Sequence, residues 1–98
     1  MTLDIKRKAN ETTIKIVGRL DAFTAPSLGK IIEQNARDAE NIILELSGLE
    51  SISDIALRAL LEVSEKIRPT SSLRLTAVSD GVMNTLMACG CTDVLAIN

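Results

Sequence analysis

The stretch from Glu45 to Leu61 joins an apolar strand to an amphipathic helix through a short run of polar residues. This junction restricts the fold, because a buried strand that leads directly into a helix is the repeating unit of α/β domains. It also presents the first free N–H groups of the helix to solvent, where negative charge is favoured. Ser53 is predicted as the N-cap of the helix, and Asp54 lies in its first turn, where a carboxylate complements the helix dipole.

An antiparallel hairpin is predicted at the start of the chain. Apolar residues alternate with polar or charged ones over Leu3–Ala9 and Thr12–Leu20, and the two residues between these runs suit a tight turn. The basic run at 6–8 falls on the first strand, where solvated charges on a sheet edge oppose aggregation. Thr24 is then predicted as the N-cap of the first helix, with Pro26 in its first turn.

The rest of the chain alternates strands with helices. Strands are predicted at Asn41–Leu46, Leu73–Ala77 and Asp93–Ile97. The second helix stops before Pro69, and the third begins at Ser79 or Asp80 and stops at Gly90. The order β-β-α-β-α-β-α-β predicts a single α/β domain over residues 1–98. Its mixed, mostly parallel sheet is packed with three helices.

The apolar stripes of these elements predict the hydrophobic core. Residues spaced by two along the strands, and by three or four along the helices, share one face of each element. The expected core residues are Ile14, Ile16, Leu28, Ile32, Leu44, Leu60, Val63, Leu75 and Leu86. On the solvent side of the second helix, Glu62 and Lys66 stand at the four-residue spacing that favours an ion pair.

Composition argues against several classes of function. A net charge of −2, from 11 basic and 13 acidic residues, provides no electrostatic footprint for nucleic acid. The chain has no histidine, and Phe23 is its only aromatic residue, so neither metal binding nor base stacking is expected. No apolar run reaches membrane-spanning length and no signal peptide is visible, so a cytoplasmic protein without direct membrane insertion is expected.

The two cysteines, Cys89 and Cys91, flank a single glycine. A disulfide between them would close a very small, strained ring. A metal site would need further cysteine or histidine ligands, which the chain does not contain. We therefore predict two reduced thiols, and no metal or cofactor.

Two motifs carry a family resemblance. The first is Gly18-Arg19-Leu20-Asp21-Ala22-Phe23-Thr24, a strand end followed by a small loop and a helix. The second is Leu46-Ser47-Gly48-Leu49, followed after three residues by Ser53-Asp54-Ile55-Ala56-Leu57. In order and spacing they resemble the two landmarks of STAS domains, the fold of the anti-sigma-factor antagonists. The resemblance covers nearly the whole chain and implies a STAS-like fold, which in the family often carries a fourth helix.

The resemblance also locates the position at which a partner kinase phosphorylates family members. Ungapped matching places Ile55 on the phospho-acceptor serine, Ser53 on the family's aspartate and Asp54 on the preceding serine. Ala56 stands where the family has glycine, and it favours a helix by about 1 kcal/mol over glycine. No phosphorylation switch is therefore expected at Ile55. Ser53 is the nearest alternative hydroxyl, but as an N-cap its oxygen would already be bound to backbone N–H groups.

In the family the two landmark loops lie side by side and meet the partner protein. The resemblance implies that the partner-binding residues are Asp21, Phe23, Thr24, Ser53, Asp54 and Arg58. Each also has a purely structural interpretation: Asp21 as a brace for its loop, Ser53 as a cap, and Asp54 as a dipole partner. Phe23 has two interpretations, one as a cover for the sheet edge and one as an interface anchor.

The leading hypothesis is a non-enzymatic interaction module that resembles an anti-sigma-factor antagonist. It would regulate transcription by docking on an anti-sigma factor or a GHKL-type kinase. An alternative keeps the fold but makes the protein an accessory subunit of an ABC-type lipid transport complex, bound to the ATPase subunit. A third hypothesis is a STAS domain that binds a small ligand or nucleotide. No nucleophile–base pair or glycine-rich phosphate loop supports catalysis.

Overall fold

The computed structural model describes residues 1–90 and 96–97. The described residues form five strands and three helices in the predicted order. The strands are β1 (Thr2–Lys8), β2 (Glu11–Leu20), β3 (Asn41–Ile52), β4 (Ser72–Thr76) and β5 (Ala96–Ile97). The helices are α1 (Ala25–Ala36), α2 (Asp54–Ile67) and α3 (Asp80–Ala88). None of the helices in the described part of the chain is long and apolar enough to cross a membrane.

The five strands lie in the sheet in sequence order, from β1 to β5. β1 and β2 form the predicted antiparallel hairpin, whereas all later neighbours are parallel. This confirms the prediction of a mixed sheet with a mostly parallel body. Each crossover advances by one strand in the same direction, so right-handed connections place all three helices on one face of the sheet.

The core lies between that face and the helices. Rows of paired residues cross the sheet, and the central members of one row, Ile14, Leu44 and Leu75, are completely buried. Eight of the nine predicted core residues are buried. The prediction is wrong for Val63, which is only partly buried and packs against the edge of the core. It lies on the side of α2 that approaches α1, where it contributes to a groove instead of the interior.

Strand β3 is longer than predicted. It continues beyond Leu46 to Ile52, because β2 continues beside it and pairs Val17 with Gly48 and Leu20 with Ile52. Gly48 permits this pairing, since a Cβ atom at that position would lie 2.8 Å from the side chain of Val17. The expected polar turn is therefore mostly strand, and α2 begins almost directly after it.

Two local predictions at the helices have different outcomes. Ser79 caps α3, with its Oγ accepting a hydrogen bond from the Val82 N–H at 3.3 Å, as predicted. The ion pair predicted between Glu62 and Lys66 is wrong: Lys66 Nζ lies 2.6 Å from Glu33 Oε1 on α1. The hydrogen bond to Glu33 also raises the pKa of Lys66. Packing of α1 against α2 provides this partner, which helical spacing alone does not reveal.

The residues that follow α3 confirm one prediction and contradict another. Gly90 follows α3 with a φ of +73°, a conformation that favours glycine and suits the predicted helix stop. Cys89 is disulfide-bonded, so the prediction of a reduced thiol there is wrong. Cys91 and the first part of the predicted last strand, at 93–95, lie outside the described residues.

Candidate interaction surface

The loop between β2 and α1 is braced by Asp21. Its Oδ1 accepts hydrogen bonds from the Phe23 N–H at 2.9 Å and from the Thr24 N–H at 3.1 Å. Its backbone carbonyl accepts a third bond, from the Ala25 N–H at 2.9 Å. The backbone hydrogen bonds from Thr24 and Phe23 lower the pKa of the Asp21 carboxyl. The expectation that Asp21 braces its loop is confirmed.

Thr24 precedes α1, as predicted, but its side chain does not cap the helix. Its hydroxyl oxygen instead accepts a hydrogen bond from the Asp21 N–H at 2.9 Å. The same oxygen lies 3.2 Å from the carbonyl oxygen of Arg19. Thr24 and Asp21 are therefore joined by reciprocal hydrogen bonds. The Asp21 carboxylate accepts from the backbone N–H groups that precede α1, the role expected of an N-cap side chain.

This bracing leaves Phe23 at the tip of the loop. The side chain is 91% exposed, the highest exposure among the large apolar residues in the described part of the chain. Phe23 does not cover the sheet edge, so that interpretation is wrong. A large aromatic side chain that is held in water on a hydrogen-bonded loop is available to a partner, and aromatic residues are enriched at protein interfaces.

The second segment is the start of α2. Ser53 is its N-cap, with the Oγ accepting a hydrogen bond from the Ala56 N–H at 3.1 Å, which confirms the prediction. Asp54 and Arg58 are exposed on the first turns. Ile55, the residue that matches the family's acceptor position, is 62% exposed. The start of α2 thus presents an aliphatic side chain and two charged ones to solvent.

A backbone hydrogen bond joins the two segments. The Ser53 N–H donates to the Leu20 carbonyl at 3.0 Å, which places the end of β2 beside the start of α2. Ala22 and Ile55 then line one groove, between α1 and α2. We call the surface formed by residues 21–24 and 53–58 the loop surface.

The structure divides the predicted binding residues between two sides of α2. Asp54 and Arg58 line a groove of about 360 Å³ between α2 and α3, together with Leu61. Ile55 instead faces the α1 side, and the Phe23 loop leads into that helix. The loop surface therefore has a charged half and an apolar half.

Ile55 is not among the binding residues that the family resemblance predicts. The signal was present, because Ile55 lies four residues before Ala59 and seven before Glu62, on a stripe that mixes apolar and charged residues. Because this stripe also carries charged residues, it does not face the core, and an apolar residue at its start remains exposed.

Comparison with known proteins agrees with this fold. A model of the STAS domain family matches residues 2–98. No curated protein matches the chain. An anti-sigma factor antagonist from Mycobacterium paratuberculosis superposes with a TM-score of 0.85 at 18% identity, covering 98% of this chain and 83% of that one.

Two further structures show the range of proteins that share the fold. SpoIIAA, an anti-sigma factor antagonist solved in its unphosphorylated form, has a TM-score of 0.82 at 13% identity, covering 99% of this chain and 88% of its own. SpoIIAA is a cell fate determinant of Bacillus. A sulfate transporter family protein from Wolinella succinogenes has a TM-score of 0.78 at 21% identity, with coverages of 91% and 74%. At these identities the likeness concerns the fold alone.

Proposed function

Since the chain belongs to the STAS domain family, we propose that it is a non-enzymatic protein-interaction module of the anti-sigma-factor-antagonist type. It docks through the loop surface on an anti-sigma factor or a GHKL-type kinase in the cytoplasm, and so regulates transcription. The structural neighbours that are anti-sigma factor antagonists support this choice of partner. The proposed function requires no cofactor and no metal.

The exposure of two large apolar side chains on the loop surface carries the proposal. Phe23 is 91% exposed and Ile55 is 62% exposed. Burying a side chain of this size against a partner contributes roughly 1.5–3 kcal/mol. The hydrogen bonds from Asp21 order the loop before binding, which reduces the entropy lost on association.

Docking is constitutive in this proposal, because the acceptor position carries an aliphatic side chain. Ile55 has no oxygen to which a phosphoryl group could be transferred. The Ser53 hydroxyl is occupied by the Ala56 N–H. Phosphate there would also lie beside the Asp54 carboxylate, which repels it. Control of the interaction then belongs to the partner or to the amount of either protein.

The test is to purify the bound partner from the native host, identify it and measure its affinity by titration calorimetry. We expect Phe23→Ala and Asp54→Lys each to weaken binding by about tenfold, a loss of about 1.4 kcal/mol. Ile5→Ala is the matched control, because it removes an exposed apolar side chain on β1, away from the loop surface.

Unchanged affinity in both loop variants would place the binding site elsewhere. Recovery of an ATPase subunit of an ABC system in place of an anti-sigma factor or kinase would replace the transcriptional role with the transport one. The sulfate transporter neighbour shows only that STAS folds also occur in transport proteins.

A further inference from the structure

A groove of about 340 Å³ runs between α1 and α2, beginning at the apolar half of the loop surface. Its walls carry small or apolar side chains on both helices. The residues that form them are Ala25, Pro26 and Gly29 on α1, and Ile55, Ala59 and Val63 on α2.

The floor of this groove is closed by direct contact between the helices. A Cβ atom at Gly29 would lie 3.3 Å from Cγ2 of Val63, so the two helices approach closely at this level. Both helices return from the same edge of the parallel sheet and therefore run in the same direction. On α2 the wall from Ile55 to Val63 covers about two helical turns, or roughly 12 Å at 1.5 Å per residue.

The rims of the groove carry charges of opposite sign. Lys66 and Glu33 form the ion pair at the end far from the loop surface. Nearer the loop surface stand Lys30 on α1 and Glu62 on α2, and both are exposed. Neither of these two forms an ion pair with another described residue. Each rim therefore offers one charge to an occupant, positive along α1 and negative along α2.

Two properties of the groove select its occupant. Its walls are α-helices whose backbone groups bond within each helix, so they cannot pair with an extended peptide. A helix satisfies its own backbone and inserts only side chains. The opposite charges of the rims suit a helix with an acidic flank and a basic flank.

We infer that the α1–α2 groove binds an amphipathic helix of the partner protein. The apolar stripe of that helix contacts Ile55, Ala59 and Val63, its acidic flank faces Lys30, and its basic flank faces Glu62. This inference rests on the proposed function, because the groove opens at the loop surface, and it adds the kind of partner segment that is bound.

Three fluorescein-labelled helical peptides with the same leucine stripe test the inference against the intact protein. One peptide has glutamate on one flank and lysine on the other, the second has lysine on both flanks, and the third has glutamate on both. A helix can bind in the groove in either direction, and reversing it exchanges the flanks that face the two rims. The mixed peptide can therefore place glutamate beside Lys30 and lysine beside Glu62 in one of the two directions, and the uniform peptides cannot do so in either. Fluorescence anisotropy measures each affinity.

The wild-type protein should bind the mixed peptide about three- to fivefold more tightly than either uniform one, as expected for exposed charge pairs. Lys30→Glu makes both rims acidic and should transfer the preference to the lysine-flanked peptide. Glu62→Lys makes both rims basic and should transfer it to the glutamate-flanked peptide. Ala59→Glu, which places a charge in the groove, should weaken binding of all three by at least about tenfold.

Lys8→Glu and Glu11→Lys are the controls, since they change the net charge equally at the β1–β2 hairpin, away from the groove. The inference is overturned if no peptide binds saturably, or if the controls change the preference as much as the rim variants do. It also fails if both rim variants keep the wild-type preference. If the groove fails while Phe23→Ala still weakens the native partner, the proposed function stands and only the helix is wrong.

Discussion

At the scale of single residues, Thr12 is the one buried side chain in the described part of the chain whose polar atom lacks a hydrogen-bond partner. It is completely buried on β2, in the row that includes Ile42. Its Oγ1 has no hydrogen-bond partner among the described residues. A buried hydroxyl without a partner costs about 1–3 kcal/mol relative to its hydrated state.

We expect Thr12→Val, which keeps the shape and removes the hydroxyl, to raise the free energy of unfolding by about 1 kcal/mol. Denaturant unfolding measures the change. Thr13→Val is the matched control on the opposite face of the same strand, where the side chain is only partly buried, and it should have a smaller effect. Destabilisation by Thr12→Val would show that the hydroxyl has a partner in solution.

Asp21 makes the stability of the loop depend on pH. Its folded-state pKa is lowered, chiefly by the Thr24 backbone hydrogen bond, so the native state binds this proton less readily than the unfolded chain does. The stabilisation is therefore complete above the unfolded value of about 3.9 and is lost as the pH falls through the lower native value.

The substitution Asp21→Asn removes this titration. We expect the variant to be less stable than the wild type at about pH 7, and the difference to shrink at about pH 3. Unfolding curves at the two pH values provide the comparison. A difference that is equal at both would show that the charge of Asp21 does not stabilise the loop.

At the scale of elements, one hydroxyl connects the end of α1 to the start of β4. Ser71 is 6% exposed, and its Oγ lies 2.8 Å from the carbonyl oxygen of Ala36 and also contacts that of Ala39. Ala36 ends α1 and therefore has a carbonyl without a partner in the helix. Ser71 satisfies it across a long separation in sequence.

Ser71→Ala should lower the free energy of unfolding by about 1–3 kcal/mol, because a buried carbonyl group loses its only side-chain donor among the described residues. Ser72→Ala is the matched control: the Ser72 hydroxyl is exposed and bonds only to the Asn41 side chain among the described residues. Thermal or denaturant melts of both variants give the comparison. Equal effects in the two variants would contradict the role assigned to Ser71.

At the scale of the whole molecule, the described helices cover one face of the sheet, and the opposite face carries mostly polar and charged residues, with Val17 and Ile43 as apolar exceptions. On that face Lys15 lies opposite Asp4 on one side and Glu45 on the other. Cross-strand pairs of opposite charge keep such a face solvated. The large exposed apolar side chains of the loop surface, Phe23 and Ile55, lie at the end of the sheet where α1 and α2 begin. Phe23 is the most exposed of the large apolar side chains in the described part of the chain, which favours docking by the loop surface.

We predict that a kinase does not phosphorylate this protein, so that its docking is not controlled by phosphorylation. After incubation with the cognate kinase and ATP, we expect intact mass spectrometry to show no added phosphate. A second reaction on Ile55→Ser restores a hydroxyl at the family's position and is the positive control. Stoichiometric phosphate on Ser53 of the wild type would contradict the prediction and restore a switch in a shifted register.

Most element types followed from the sequence, because they depend on neighbours a few residues away. The alternation around Ile14 and Ile16 predicted β2, and the caps at Ser53 and Ser79 predicted the starts of α2 and α3. The Thr24 cap failed because Asp21, three residues earlier, competes for the same hydroxyl. The successful predictions and the failed Thr24 cap all depend on residues only a few positions apart in the chain.

What the sequence determined by itself was therefore the order of elements, the caps of α2 and α3 and most of the core. Only the tertiary structure decided the length of β3, the partner of Lys66 and the division of the loop surface by α2. These features depend on contacts between residues far apart in the chain, such as Leu20 with Ser53 and Glu33 with Lys66. The residue pattern within one helix or strand does not reveal such contacts, because they form only when α1 and α2 pack side by side on the same sheet.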